Sequence, residues 1–190
     1  MVDRCKWANN NELMKIYHDE EWGVPIHDDV NLFEQLILQG AQAGLSWITI
    51  LKKRENYRKA FDNFNFEKIA SYDEKKVQEL LTNKGIIRNE LKIRSVINNA
   101  KNFIKIRKEF GSFNNYIWKY VNYSPLQNDW KSLDEIPSKT LLSEKISKEM
   151  KKRGFKFIGP TIIYAYMQAV GMVNDHLTYC FRYPQIKNMK

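Results

Sequence analysis

The sequence predicts an all-α fold of two helical lobes with a cleft between them. Three observations carry this. Apolar residues recur at helical spacing along most of the 190 residues, and strand-like alternation is scarce. Residues that start helices stand ahead of several of these runs. The stretch 122–137, NYSPLQNDWKSLDEIP, has two prolines and scattered polar residues and reads as a connection.

The elements follow in order. Leu13, Ile16 and Tyr17 share one face of a first helix. Leu32, Phe33, Leu36 and Ile37 follow the start signal Asp28-Asp29, and this run is expected to break at Gln39-Gly40-Ala41-Gln42-Ala43-Gly44. Ser46 is placed to cap WITILKKRENYRKAF, in which Trp47, Ile50 and Leu51 form an apolar stripe. Val77, Leu80 and Leu81 mark a short helix after Asp73. Asn89 opens a long one through Leu91, Ile93, Val96, Ile97, Ala100, Phe103 and Ile104. Phe113, Ile117, Trp118 and Val121 make another. Leu142, Ile146 and Met150 lead into Lys151-Lys152-Arg153-Gly154, and a final helix is expected over about 161–170. Trp118 and Trp130 are assigned to the core.

Composition narrows the function classes. An apolar fraction of 43% and an aromatic fraction of 13% can build a sizeable core. The net charge of +9 makes a polyanion, nucleic acid first, the expected partner. Lys, Asn and Ile all abound, so drift in an AT-rich genome stands as a second origin of the charge. No run of 18 apolar residues offers a membrane span. The opening MVDRCKWANNNE lacks an apolar signal core. With two cysteines at opposite ends, the expectation is a cytoplasmic protein with reduced thiols.

Three groups of residues can carry chemistry. Cys5 and His18 lie near one end and His176-x3-Cys180 near the other, a Cys2His2 complement that suits structural zinc. Two buried free cysteines and two ordinary histidines explain the same residues, and the choice stays open at this point. KKRGFKFIGP, 151–160, lies between two helices. Its Lys151, Lys152, Arg153 and Lys156 supply charge, while Gly154 and Gly159 allow a turn whose free N–H groups can meet a phosphate. Such a helix–hairpin–helix grips a DNA backbone without reading sequence; a solvated helix end is the plainer alternative. Third, Trp7, Tyr17 and Trp22, together with ILQGAQAGLSW at 37–47, combine aromatic faces, amides and glycines, as a site for a flat polar ring would. Aromatic residues at helical spacing also serve as ordinary core.

Cys5-x-Trp7, Tyr17-His18-Asp19-x-x-Trp22-Gly23-Val24-Pro25, Gln42-Ala43-Gly44-Leu45-Ser46-Trp47, Leu51-Lys52-Lys53-Arg54-Glu55-x-Tyr57, Lys151-Lys152-Arg153-Gly154-Phe155-Lys156-Phe157-x-Gly159 and Val173-Asn174-Asp175-His176 occur in this order. Together they resemble the 3-methyladenine DNA glycosylase I (Tag) family from Cys5 to Cys180. The resemblance implies one glycosylase domain over 1–190, with a helix–hairpin–helix at about 138–172. It implies one structural zinc joining 5–18 to 176–180 through Cys5, His18, His176 and Cys180. The substrate it implies is alkylated double-stranded DNA. The N-glycosidic bond is hydrolysed to release 3-methyladenine and leave an abasic site, without strand cleavage.

The resemblance also assigns roles. Tyr17 and Trp47 fall at base-stacking and pocket positions, and Trp7 and Trp22 line or support that pocket. Leu45 is a candidate plug for the space an extruded base leaves. Gln42 would fill hydrogen bonds in the vacated pair or cap a loop, and Gly40 and Gly44 would let backbone approach the nucleotide. Asp175 is read as structural, orienting the zinc histidine or a helix end. A monomer is the default for a protein that scans duplex DNA. Two positions depart from the family pattern. Gln39 stands where glutamate is usual, so a base-contacting, catalytic carboxylate is replaced by an amide. Met14 stands where tyrosine is frequent, loosening a pocket wall. A lesion-binding protein with impaired turnover is therefore the alternative function.

Overall fold

Side-chain caps set where most of the helices begin. In the computed structural model, which describes residues 2–189, Asn11 accepts the Leu13 amide to open α1 (Glu12–Glu20), and Asp28 accepts that of Asn31 to open α2 (Asp29–Gln42). Next come α3 (Trp47–Leu51), α4 (Arg54–Ala60) and α5 (Phe66–Ala70). Asp73 caps α6 (Glu74–Thr82), Asn89 caps the long α7 (Glu90–Phe110) and Ser112 caps α8 (Phe113–Trp118). A reciprocal Thr140–Ser143 box opens α9 (Leu141–Lys152). Proline in the first turn opens α10 (Pro160–Ala169), and α11 (Arg182–Lys187) closes the described chain. Two short strands, β1 (Leu126–Gln127) and β2 (Val173–Asn174), pair in parallel, with Leu126 opposite Val173 and Gln127 opposite Asn174. No helix among the described residues is long and apolar enough to cross a membrane.

The apolar faces meet in two clusters. The larger joins α2, α7, α8, α9 and α10 around Phe33, Phe103, Phe113, Trp118 and Tyr166. The smaller gathers Cys5, Tyr17, Trp22, Leu51, Leu177 and Cys180 where the two ends of the chain meet. Trp47 and Ile136 pack against both, so the two cores share a boundary at these side chains. Trp118 is fully buried, as expected of a core residue. Trp130 is half-buried and packs on the smaller cluster.

Several expectations need correction. The apolar run of α2 does not break at Gln39; it continues through Gln42 and ends at Ala43. Gly40 is helical, and a Cβ there would lie 3.2 Å from the Phe157 carbonyl oxygen. Its lack of a side chain therefore admits the 151–160 hairpin rather than a nucleotide. Ser46 precedes α3 but caps no amide, its Oγ lying 2.7 Å from Thr49 Oγ1. The expected helix 47–61 is two helices. Tertiary ties pull on adjacent residues at the break: Lys53 Nζ donates to the Lys84 carbonyl at 2.9 Å, and Arg54 pairs with Glu21. Ile16 does not share the buried face of Tyr17 but is 43% exposed. The helix expected at 161–170 is not the last, because α11 follows it.

Candidate active site

The fold sets two side-chain assemblies back to back. The first is a Cys/His cluster. A 3-10 turn over Lys6–Asn10 and α1 bring Cys5 and His18 together, and the segment after β2 brings His176 and Cys180. All four are buried, and their ligand atoms lie within 4.8 Å of one another. Cys180 Sγ is 3.4 Å from His18 Nε2 and 3.6 Å from His176 Nδ1, and Cys5 Sγ is 3.9 Å from His176 Nδ1. A tetrahedral ion with sulfur and nitrogen ligands spaces its donors by roughly 3.4–3.8 Å, so the group fits a four-coordinate metal.

The surroundings of the cluster support the same fit. His18 turns its other ring nitrogen, Nδ1, to Asp19 at 2.7 Å, and Asp19 is held in turn by Arg4. His176 turns Nε2 to the Trp22 carbonyl at 2.9 Å. In each ring one nitrogen is occupied and the other faces the cluster, which is how ligating histidines are oriented. The Cys180 thiol is held well below the ordinary range, first by a hydrogen bond with Cys5 and then by His176 and His18; the Leu177 amide donates to Cys5 Sγ at 3.4 Å. Asp19 is likewise depressed, since hydrogen bonds from Arg4 and His18 outweigh the burial that opposes them.

The second assembly is a cleft of about 390 Å³ lined by Trp7, Met14, Tyr17, Trp22, Gln39, Gln42 and Trp47, with Leu133, Ile136, Ala165 and Gln168. The structure thus brings all seven of these sequence-predicted residues to one cleft. The other four went unread in the sequence, because their residue types carry no signal and they come from distant segments.

The aromatic residues form a chain of edge and tilted contacts. Tyr17 and Trp47 have centroids 5.2 Å apart, and Trp7 meets Trp22 edge-on at 5.0 Å. Trp22 also packs edge-on against His176 at 4.7 Å, so the cleft wall rests directly on the Cys/His cluster. Burial pushes the Tyr17 phenol up, and it stays neutral. Gln39, 4% exposed, supplies an amide to the cleft, while Trp47 Nε1 is buried with no hydrogen-bond partner. A buried donor without a partner carries a free-energy cost.

A second groove of about 340 Å³ adjoins the first through shared Gln39, Gln42 and Ala165. It is lined further by Ala43, Gly44, Leu45, Thr161 and Ile162. Gly44 has φ +76° with open space around it, and Leu45 beyond it is 40% exposed. The turn therefore presents an apolar tip beside the start of α10. Lys92 holds the turn from beneath, donating from Nζ to the carbonyls of Ala41 at 2.8 Å and Ala43 at 2.7 Å.

The 151–160 hairpin is fastened to α7. Asn98 donates to the Gly154 carbonyl, and Asn99 exchanges hydrogen bonds with both the N–H and the carbonyl of Lys156. The amides of Gly154, Phe155 and Lys156 are therefore satisfied within the protein. This differs from the expectation of free N–H groups across the whole turn; the open backbone lies at Gly159, where an added Cβ would meet nothing within 4 Å. The strained position is Phe157, at φ +52°. Lys151, Lys152 and Lys156 are exposed. Arg153 turns to Glu109 at 2.6 Å instead, so its charge is already met.

Asp175 belongs to neither assembly. Its carboxylate accepts from Asn128, Trp130, Tyr164 and Gln168 at 2.6–2.8 Å. It joins the 122–137 connection to α10 and does not orient His176. Asp175→Asn exchanges an acceptor for a donor among four donors, and is expected to destabilise the protein by about 1–3 kcal/mol, read as a lower urea midpoint with unchanged slope.

Comparison with known proteins agrees with this architecture. The family model for methyladenine glycosylases matches residues 7–183. DNA-3-methyladenine glycosylase 1 of Escherichia coli K12 is 46% identical over 96% of this chain and 98% of its own length. A crystal structure of 3-methyladenine DNA glycosylase I superposes with a TM-score of 0.93 at 48% identity, covering 96% of this chain and all of the other. The Staphylococcus aureus 3-methyladenine DNA glycosylase I, described for the structural basis of 3-methyladenine recognition, gives 0.93 at 33% identity, covering 96% and 97%. The chain belongs to the methyladenine glycosylase family.

Proposed function

We propose that this protein is a monofunctional DNA glycosylase that removes 3-methyladenine from alkylated double-stranded DNA. The observation that carries the proposal is the aromatic cleft, with its buried amide at Gln39 and unpartnered donor at Trp47, opening beside the Gly44-Leu45 turn and the start of α10. A base must leave the stack to reach such a cleft. Leu45 fills the gap it leaves, and Lys151, Lys152, Lys156 and the Gly159 end of the hairpin meet the backbone.

Methylation at N3 makes the adenine a cation and weakens its bond to the sugar. The aromatic faces of Trp47 and Tyr17 attract a cationic ring, and the Gln39 amide offers both an acceptor and a donor to the edge of adenine. As the C1′–N9 bond breaks, its electron pair moves to N9 and the ring becomes neutral. Water adds to C1′ and loses a proton, leaving an abasic site. No lysine needs to attack the sugar, so the strand stays intact.

Zinc is the metal proposed for Cys5, His18, His176 and Cys180, where it would be structural. All four positions are filled by protein, which leaves no place for an activated water. The protein is proposed to act as a single-domain monomer.

Base release from methylated duplex DNA tests the function. Parent protein should liberate 3-methyladenine without nicking the strand. Trp47→Ala should retain the fold and lose about 10- to 100-fold in kcat/KM, the equivalent of one aromatic contact to a base. Absence of release from the parent, with abasic DNA still bound, would point to the lesion-binding alternative that Gln39 raises.

A further inference from the structure

Gln168 lines the cleft, yet the proposed chemistry leaves it unused. It stands on the last turn of α10, and that end of the helix is fastened. Its backbone carbonyl accepts from the Gly23 amide at 3.1 Å, and the Val170 carbonyl accepts from the Ile26 amide at 3.0 Å. Gly171, at φ +73°, lets the chain close there, since a Cβ would lie 2.5 Å from the Val24 carbonyl carbon. The Gln168 backbone therefore rests on the turn that follows the cleft residue Trp22.

The side chain is fixed as well. Gln168 Nε2 donates to Asp175 Oδ2 at 2.7 Å, and the Tyr164 hydroxyl donates to the same oxygen at 2.6 Å. Asn128 and Trp130 donate to Oδ1 at 2.7 and 2.8 Å. Asp175 itself is buried. A carboxylate only accepts, so the Gln168 amide turns its nitrogen to Asp175; a flipped amide would set oxygen against oxygen. That leaves Oε1, a carbonyl with no hydrogen-bond partner among the described residues, for the cleft.

Gln39 differs. No hydrogen bond ties its amide among the described residues, so it can present either end to a ligand. Adenine and guanine differ at position 6, which carries an amino donor in the first and an oxygen acceptor in the second. A free amide turns to suit both. A locked carbonyl suits only the amino group, and an oxygen facing it leaves two acceptors unpaired in a confined site. The two cleft amides are thus unequal: one adapts, and the other reads.

We propose that Gln168 is a specificity-determining residue: its Oε1 accepts from the 6-amino group of the bound base, and Asp175 is the positioning residue that holds the amide in this sense. The inference rests on the reading of the cleft as a 3-methyladenine site. It assigns the choice of adenine over 6-oxopurines to α10, and leaves selection of the positive charge to the aromatic faces and position 39.

The test compares the binding of free 3-methyladenine with that of 3-methylhypoxanthine, which carries oxygen at position 6, by quenching of tryptophan fluorescence. The parent should bind 3-methyladenine more tightly by about 10- to 100-fold. Gln168→Met keeps the length of the side chain but removes the carbonyl, and should lose most of that preference. Tyr164→Phe removes a donor from the same carboxylate oxygen outside the cleft; it should lower stability and keep the parent's ratio. A parent that binds the two bases equally overturns the inference, even where Gln168→Met fails to fold. A folded Gln168→Met protein with the parent's ratio overturns it too; slower release of 3-methyladenine by that protein would place the carbonyl on the attacking water instead. A parent that binds neither base overturns the underlying reading as well.

Discussion

Replacing Cys180 with Ala is expected to lower the thermal midpoint by roughly 10–20 °C, the largest stability loss of any single side-chain removal outside the aromatic core. Cys180 contacts both histidines of the Cys/His cluster, at 3.4 and 3.6 Å, and is fully enclosed. Removing it takes one of four donors from the proposed metal, which would join Cys5 and His18 to the other end of the chain. It also leaves two buried imidazoles without their partner. A structural metal bound only by the folded state adds its binding free energy to folding, roughly 10–16 kcal/mol in zinc modules, and losing one donor of four is expected to forfeit about a third of it, about 5 kcal/mol. Differential scanning calorimetry with and without a chelator measures it. The parent should lose its midpoint advantage on chelation, and Cys180→Ala should respond little. Metal analysis should find one zinc per parent chain. A parent unaffected by chelation would show that the cluster is held by its hydrogen bonds alone.

The same change should reach the cleft. Trp22 packs on His176 and lines the cleft, and Trp7 packs on both Trp22 and His18. Loosening the cluster therefore loosens two aromatic walls, and a weaker affinity for 3-methyladenine should accompany the drop in stability.

How much of this was legible in the sequence depends on the kind of interaction. Caps are local, so Asn89, Asp73 and Asp28 announced their helices correctly. The Cys/His set was legible because those residue types are rare in the chain, although spacing alone left metal and free thiols equally open. The division of 47–61 into α3 and α4 was not legible, since it is accompanied by ties to Lys84 and Glu21, 31 and 33 residues away in sequence. Gly40 carried a false signal: its missing side chain serves the Phe157 backbone across the fold. Ile136, Ala165 and Gln168 are ordinary residues until α10 and the 122–137 connection bring them to the cleft. The four-donor environment of Asp175 is likewise invisible until α10, β2 and that connection converge.

Gln39→Glu is expected to raise the rate of 3-methyladenine release by about 10- to 1000-fold if charge at this position selects the cation. Gln39 sits on the last turns of α2, almost wholly buried, at the floor shared by both grooves. An amide there pairs with the adenine edge by shape but adds no net charge. A carboxylate would lie beside a cationic ring in a site from which most water is excluded, where the pair interacts more strongly than in solution. The same carboxylate in the empty cleft has no cation to meet, so the variant should be less stable than the parent by about 1–3 kcal/mol without ligand and should recover stability on binding abasic DNA with 3-methyladenine. A faster variant whose stability recovers in this way assigns selection to charge at position 39, and makes the parent chain a slow enzyme or a lesion binder. Equal rates for the two proteins assign selection to Trp47, Tyr17 and the shape of the cleft, with the amide sufficient for turnover.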